Sequence, residues 1–422
     1  MADPPADLEI RPLRPGDDPD AQLDLSERAF GPGSGADRDR RLRSLSRLVA
    51  GGRYLGAFVG GRPAAAAAIQ DMRQWWQGRP VPMAGVSSVT VAPEYRGLGI
   101  GRLLMTALLD EIAARRYPLS ALFPATMPLY RSLGWELAGA RDTAVIPARS
   151  LLRLVPPDAL PPDALPPDAV PSDALPSAPP APPRLHRAGP GDAEAVTAVL
   201  GRVHEAARDC GPITWDAASA AEWLADPGLY AYLAEDRVLA YRWHQRDLFA
   251  ERAEAISART VRAFWAQLGS HASIAENVQA RTGPASAFWW LTQERDAQIA
   301  RRSRWMLRVV DAAAAIAARG FPAGVSVRVP VRITDGARPA NSGRWQLTVA
   351  GGAGTLEPLG PASTAALPGS SLTLGARGLA ALYAGTPLVT LRQAGLAAGG
   401  TAADDAALDA AFAATPYMLD AF

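Results

Sequence analysis

The 422-residue chain is predicted to be a mixed α/β protein of about three domains. Three observations predict it. Short apolar runs alternate with an amphipathic stretch before residue 150, a proline-rich segment then interrupts the pattern, and the last third opens a new series of helix and strand signals.

In the first region, Tyr54 to Val59 reads as a strand, Arg62-Pro63 as a turn, Ala64 to Asp71 as a second strand and Val86 to Val91 as a third, flanked by Gly85 and Pro93. Gly101 to Arg116 is expected to be a helix, with Leu104, Leu108 and Ile112 at i, i+4 spacing. Leu119 to Phe123 is a further apolar strand. From Val155 to Pro183 the chain repeats Pro-Pro-Asp-Ala-Leu and its near copies. Proline at that density blocks helix and ladder hydrogen bonds, so the segment reads as a semi-rigid linker, with a partner-binding proline motif as the alternative. Beyond it, Asp192 to Ala207 and Ala258 to Leu268 are expected helices, and Leu229 to Leu233 and Val238 to Trp243 an expected strand pair. The last third is expected to begin with a helix from Met306 to Ala318. An alternating strand follows over Val325 to Ile333, with a turn at Asp335-Gly336 and an antiparallel return through Trp345, Leu347 and Val349. Pro330 argues for an edge strand.

Composition narrows the function classes. The net charge is +1, so nothing draws the chain generally to nucleic acid or an anionic membrane. One cysteine, Cys210, rules out an internal disulfide and a multi-thiolate zinc site. The N-terminus has neither a basic n-region nor an apolar h-region, and a cytoplasmic location is expected. The four histidines, His186, His204, His244 and His271, all lie beyond residue 185 and are read as structural. A base acting in the first region must therefore be a carboxylate, a water or a group from elsewhere in the chain.

The segment that carries chemistry runs from Val89 to Arg102. A β-branched strand ends at Pro93, a glycine-rich turn follows, and a helix starts near Gly101. A helix N-terminus presents free N–H groups and partial positive charge, and glycines let backbone approach an anion closely. No Gly-Lys-Ser/Thr follows, and the glycines at 97, 99 and 101 do not satisfy Gly-x-Gly-x-x-Gly, so neither a P-loop nor a dinucleotide fingerprint is present.

Arg96-x-x-Gly99-x-Gly101 after such a strand resembles the pyrophosphate motif of the GNAT acetyltransferase superfamily, and Leu129-Tyr130-Arg131-Ser132-Leu133-Gly134-Trp135 resembles its second motif. The whole chain, ending Pro416-Tyr417-Met418-Leu419-Asp420-Ala421-Phe422, is similar to the Eis-type (enhanced intracellular survival) acetyltransferases. The resemblance implies two tandem GNAT folds, each a mixed central sheet flanked by helices, plus a sterol-carrier-protein-like α+β domain. The implied divisions are a catalytic domain at 1–150, the linker at 151–184, a second GNAT-like domain without the cofactor motif at 185–303, and the last domain at 304–422.

It also implies acetyl-CoA as donor, no metal, and a primary amine as acceptor, whether aminoglycoside-like, polyamine or protein lysine. A homo-oligomer, hexameric as in the family, is expected, with no nucleic-acid or membrane partner. By the same resemblance the α-carboxylate of Phe422 draws a proton from the amine and Tyr130 protonates the leaving thiolate. The alternatives are a tail and a tyrosine that only pack. Ser88, Val89 and Val91 would hold the thioester and pantetheine, and Arg96, Gly97, Gly99, Gly101 and Arg102 the pyrophosphate, although Arg102 reads equally as a solvated helix residue. Trp75, Trp76 and Asp24 are candidates for the acceptor site. Two other readings are an apolar-ligand carrier with a vestigial acetyltransferase domain and a biosynthetic acyltransferase with another acyl donor or a more apolar acceptor.

Overall fold

Five consecutive alanines, Ala64 to Ala68, are fully buried in the middle of one long strand, and they show how the first region packs. Side chains alternate across a strand. Ala65, Ala67 and Ile69 belong to one core with Leu104, Leu108 and Ile112, whereas Ala66 and Ala68 belong to another with Leu25, Leu45 and Leu48. Small side chains on both faces let helices approach the sheet from either side.

The computed structural model describes residues 4–31, 35–153, 185–292, 295–360, 371–420 and 422. The proline-rich segment expected as a linker lies outside the described residues. The first segment comprises β1 (Leu8–Pro12), α1 (Pro19–Phe30), α2 (Gly35–Ala50), β2 (Tyr54–Val59), β3 (Arg62–Trp76), β4 (Arg79–Val91), α3 (Ile100–Ala114), β5 (Leu119–Leu122), α4 (Met127–Ser132) and β6 (Glu136–Pro147). Strand β3 continues past Asp71, where the sequence reading ended it, because residues 71–76 pair with residues 79–84 around a tight turn at Gln77-Gly78.

The chain forms two units, one of Met1–Gly139, Arg304–Pro416 and Asp420–Phe422, the other of Ala140–Ser303 and Tyr417–Leu419. The second unit carries β7 (His186–Arg187), α5 (Ala193–Ala206), β8 (Cys210–Thr214), α6 (Ala217–Leu224), β9 (Tyr230–Ala234), β10 (Arg237–His244), β11 (Asp247–Ala255), α7 (Ala258–Gly269), β12 (Asn277–Thr282), α8 (Phe288–Leu291) and the first half of β13 (Gln298–Val309). Its sheet runs β6-β12-β11-β10-β9-β7, with β11 and β12 parallel. Asp216 and Ser257 cap α6 and α7 through Ser219 N and Thr260 N. Asp192 stands at the N-cap of α5, but its side chain makes no capping bond to that helix. Its carboxylate instead accepts from Gly189 N at 2.8 Å.

In the first unit, the sheet order is β1-β2-β3-β4-β5 and then residues 304–309 of β13, antiparallel to β5 with Met306 opposite Leu122. The expected helix from Met306 to Ala318 is thus two elements. Residues 306–309 are strand, and α9 (Ala312–Ala318) starts only after Asp311, whose side chain accepts from Ala314 N. Pairing with an open strand edge overrode a pattern that fits either structure. The unit is completed by β14 (Val327–Thr334), β15 (Gly343–Ala350), β16 (Ala353–Pro358), β17 (Leu372–Gly375), α10 (Ala376–Tyr383), α11 (Leu388–Gln393), β18 (Ala397–Ala398) and α12 (Ala402–Phe412). The second sheet runs β16-β15-β14-β17-β18. Strand β14 is therefore central rather than an edge. Pro330 is tolerated because β17 pairs with β14 only from Val331 onward.

Candidate active site

The site is built where β4 and β5 part. They pair in parallel only over Met83–Gly85 and Leu119–Ala121. Beyond Gly85, β4 continues along β3 alone, with a bulge in which Ser88 and Val89 together face Ala67. Ser88 adopts φ 53°, a left-handed conformation that is costly for a residue with a side chain. A bulge of this kind re-aims the strand's polar groups.

After Val91 the chain passes through a short turn at Pro93–Tyr95 to Arg96, whose Nε donates to Val91 O at 3.3 Å. Gly97 has φ 83° and Gly99 φ 77°, and Gly99 is the N-cap of α3. With no side chain at the cap, the first N–H groups of the helix, those of Ile100 and Gly101, have no intrahelical carbonyl and are left for an anion. Gly101 is small for another reason: a Cβ there would stand 3.2 Å from Val91 Cγ2, so helix and strand pack closely. These features fit the diphosphate of an acyl-coenzyme.

Tyr130 sits on α4, 5% exposed, with its ring edge-on to Trp135 at 6.4 Å. Burial pushes its phenol up to about 12, so the hydroxyl stays protonated at neutral pH. Helix α4 is held from below by Glu136, which accepts from Arg131 at 2.7 Å and from Arg377 at 2.6 Å.

The last residue, Phe422, reaches the point where the strands part. Two carbons of its ring lie 3.0 Å from where a Cβ on Gly85 would be, and Met72 Sδ lies 2.9 Å from the same point. Its ring is also edge-on to Phe123 at 6.0 Å. Gln70, which pairs with Gly85 across the strands, donates through Nε2 to Ser87 Oγ at 3.1 Å.

A family model described as an acetyltransferase (GNAT) domain matches residues 9–138, and one described as a sterol carrier protein domain matches residues 312–419. A crystal structure of a GCN5-related N-acetyltransferase from Kribbella flavida is 41% identical, covers 99% of this chain and 98% of its own, and superposes with a TM-score of 0.87. The chain belongs to the GCN5-related N-acetyltransferases. An uncharacterized N-acetyltransferase of Streptomyces avermitilis is 27% identical over 92% of each chain. The fold is also that of Eis1 from Mycobacterium abscessus, at 22% identity, 98% and 100% coverage and a TM-score of 0.73. The GNAT domain implies acetyl-CoA as the acetyl donor.

Not every residue expected in this acetyltransferase's site lies there. Trp76 is fully buried in a core made with Trp305 at 6.4 Å, Tyr383 at 5.0 Å and the Arg319 guanidinium at 5.1 Å. The neighbouring Trp75 is 7% exposed. Asp24 lies on the outer face of α1, where it pairs with Arg28 at 2.9 Å. Arg102 lines a cleft of about 670 Å³ with Thr106, Asp110, Arg131, Asp335 and Arg377. Met72, Gly85 and Phe123 are not among the site residues that the sequence predicts. A glycine inside a strand is the one signal that was available, since it marks close approach by another group. Among the described residues no helix is long and apolar enough to cross a membrane, and no group of three or more His, Cys, Asp or Glu side chains is placed to hold a metal ion.

Proposed function

We propose that the enzyme acetylates a primary amine, with the α-carboxylate of Phe422 as base and the Tyr130 phenol as acid. Residues 1–150 would form the catalytic domain, 185–303 a second GNAT-like domain, and 304–422 the sterol-carrier-like domain that ends in the base. The observation that carries this reading is the seat of Phe422 on Gly85, where β4 and β5 separate.

An amine arrives as ammonium and attacks only through its free lone pair. The Phe422 carboxylate takes that proton, directly or through water, a service worth roughly 10²–10⁴ in rate. Bound acetyl-CoA supplies the activated acetyl thioester. The N–H of Val89 steadies the carbonyl oxygen as charge builds there, Ser88 and Val91 hold the pantetheine arm, and Arg96 with the amides from Gly97 to Arg102 neutralises the diphosphate. As the nitrogen–carbon bond forms and the carbon–sulfur bond breaks, Tyr130 gives its proton to the departing sulfur, and the second proton shed by the nitrogen returns through water to the phenol.

The acceptor is the finer question. Aminoglycosides, polyamines and protein lysine all present a primary amine. Met72 and Phe123 lie near the Phe422 ring, and the neutral Gln70–Ser87 pair lies on the strand pair that carries Gly85. They favour an amine on an apolar body over a polycation, which calls for several anions.

Mass spectrometry after incubation with acetyl-CoA and a panel of arylalkylamines, polyamines, aminoglycosides and a lysine peptide tests the proposal. An acetylated amine is the expected product. Absence of product with every amine, from protein that binds acetyl-CoA, would favour the apolar-ligand carrier. Tyr130→Phe is expected to keep acetyl-CoA binding and lose most turnover.

A further inference from the structure

We infer that Tyr417, held by Asp209 and His204, is a clasp that positions the C-terminal carboxylate for catalysis. The inference rests on the reading of Phe422 as the base. Within the second unit, the Tyr417 hydroxyl donates to Asp209 Oδ2 at 2.9 Å, and the same oxygen accepts from His204 Nδ1 at 2.8 Å. A carboxylate oxygen can only accept, so the His204 proton sits on Nδ1. His204 is fully buried, and its Nε2 faces Glu254 Oε1 at 3.7 Å, while Glu254 Oε2 accepts from Arg252 at 2.7 Å. Asp209 Oδ2 thus gathers two donors, the His204 ring and the tail's phenol, in one buried polar cluster. Its low-dielectric surroundings make each bond stronger than it would be in water.

Further observations show that the chain is shaped around this residue. Tyr417 N donates to Cys210 O at 3.0 Å, and Tyr417 forms a parallel bridge with Ala140. A Cβ on Gly283 would lie 2.8 Å from Tyr417 Cγ, so that position is a notch for the ring. One residue earlier, a side chain on Gly139 would strike the carbonyl of Pro416. Met418 and Leu419, which follow Tyr417, are buried as well. Burial, with the Asp209 and Glu254 charges, pushes the phenol well above its ordinary value, so it remains a donor across the working range.

The link to the site is covalent. A terminal carboxylate on a free chain end samples a wide volume, and fixing the backbone of each residue costs about 1–2 kcal/mol in entropy. Fastening the chain shortly before its end leaves fewer residues to be ordered in the catalytic step, and an oriented base is what general-base catalysis gains from. Tyr417 touches no reacting atom and is a positioning residue.

The test is a double-mutant cycle in the full-length protein between Tyr417→Phe and a short Ala-Ala extension after Phe422. Tyr417→Phe alone is expected to lower kcat on the order of ten-fold. Its acetyl-CoA dissociation constant by calorimetry should be unchanged, and carboxypeptidase should release Phe422 several times faster. In the extended chain, already impaired, Tyr417→Phe should add no further loss. Full kcat and full protection of Phe422 in Tyr417→Phe would overturn the clasp, and so would an equal loss in both backgrounds. An extended chain with full activity would instead show that the carboxylate is not the base. The reading beneath the clasp would then fail, separately from the clasp's own geometry.

Discussion

The ring of Phe422 fills the space that a side chain on Gly85 would need. The two residues lie far apart in the sequence and meet where two parallel strands separate. Gly85→Ala is therefore expected to push the terminal residue out of place. Overpacking of this kind costs about 1–3 kcal/mol in stability. The diagnostic effect is on turnover, a loss of roughly ten-fold, bounded by the 10²–10⁴ of general-base help. Steady-state kinetics beside acetyl-CoA calorimetry checks it, and an unchanged kcat would place Phe422 outside the mechanism.

The pyrophosphate turn makes a different demand. Gly99 holds φ 77° at the N-cap of α3, where an alanine would be strained by about 1–2 kcal/mol. Gly99→Ala should relax the loop and turn its amides away, raising the acetyl-CoA dissociation constant about ten-fold, since 1.4 kcal/mol is a factor of ten. Titration calorimetry reads this directly. Tight binding in the variant would exclude these amides from the cofactor site.

Trp76 stands as a core residue. Replacing it with alanine should destabilise the fold by about 3–5 kcal/mol, measured by denaturant unfolding. Trp76→Phe, which keeps most of the ring packing, should leave the KM for the amine unchanged. A large KM increase in that variant would return Trp76 to the acceptor site.

Glu136 supplies a pH test. Burial alone would raise its carboxyl, but hydrogen bonds from Arg131, Leu137 N–H and Arg377 outweigh burial and hold it below the ordinary carboxylate range. A lowered native value means that the stabilisation is present above the unfolded value, about 4.3, and is lost as pH falls through the native one. Glu136→Gln should therefore cost about 2 kcal/mol at pH 7, less than a fully enclosed pair because both arginines are about one-third exposed. The gap to the natural protein should narrow as pH falls below the unfolded value and close once pH has passed the lowered native one. A deficit unchanged between pH 7 and pH 3 would show that charge is not the cause.

Much of the fold is legible in the sequence because it is local. Tyr54–Val59 forms a strand, and Ile100–Ala114 and Ala258–Gly269 form helices, close to where side-chain periodicity put them. The errors fall where a neighbour decides. Residues 306–309 are strand because β5 offers an edge, and Pro330 sits in a central strand because β17 starts one residue later. In the candidate site, the turn at Gly97 and Gly99 announced itself through its spacing. The bulge at Ser88 and the apolar seat of Phe422 did not.

By itself, the sequence determined the glycine turn, the strand before it, the helix after it and the family to which the chain belongs. Those depend on backbone conformations and face patterns that neighbouring residues encode. Only the tertiary structure decided that Trp76 joins a core with Arg319 and Tyr383, that Asp24 pairs outward with Arg28, and that Tyr417 is gripped by Asp209 while Phe422 lies on Gly85. Such contacts join residues far apart in the chain. They arise from close packing of preformed elements, and no local period records which distant surface a side chain will meet.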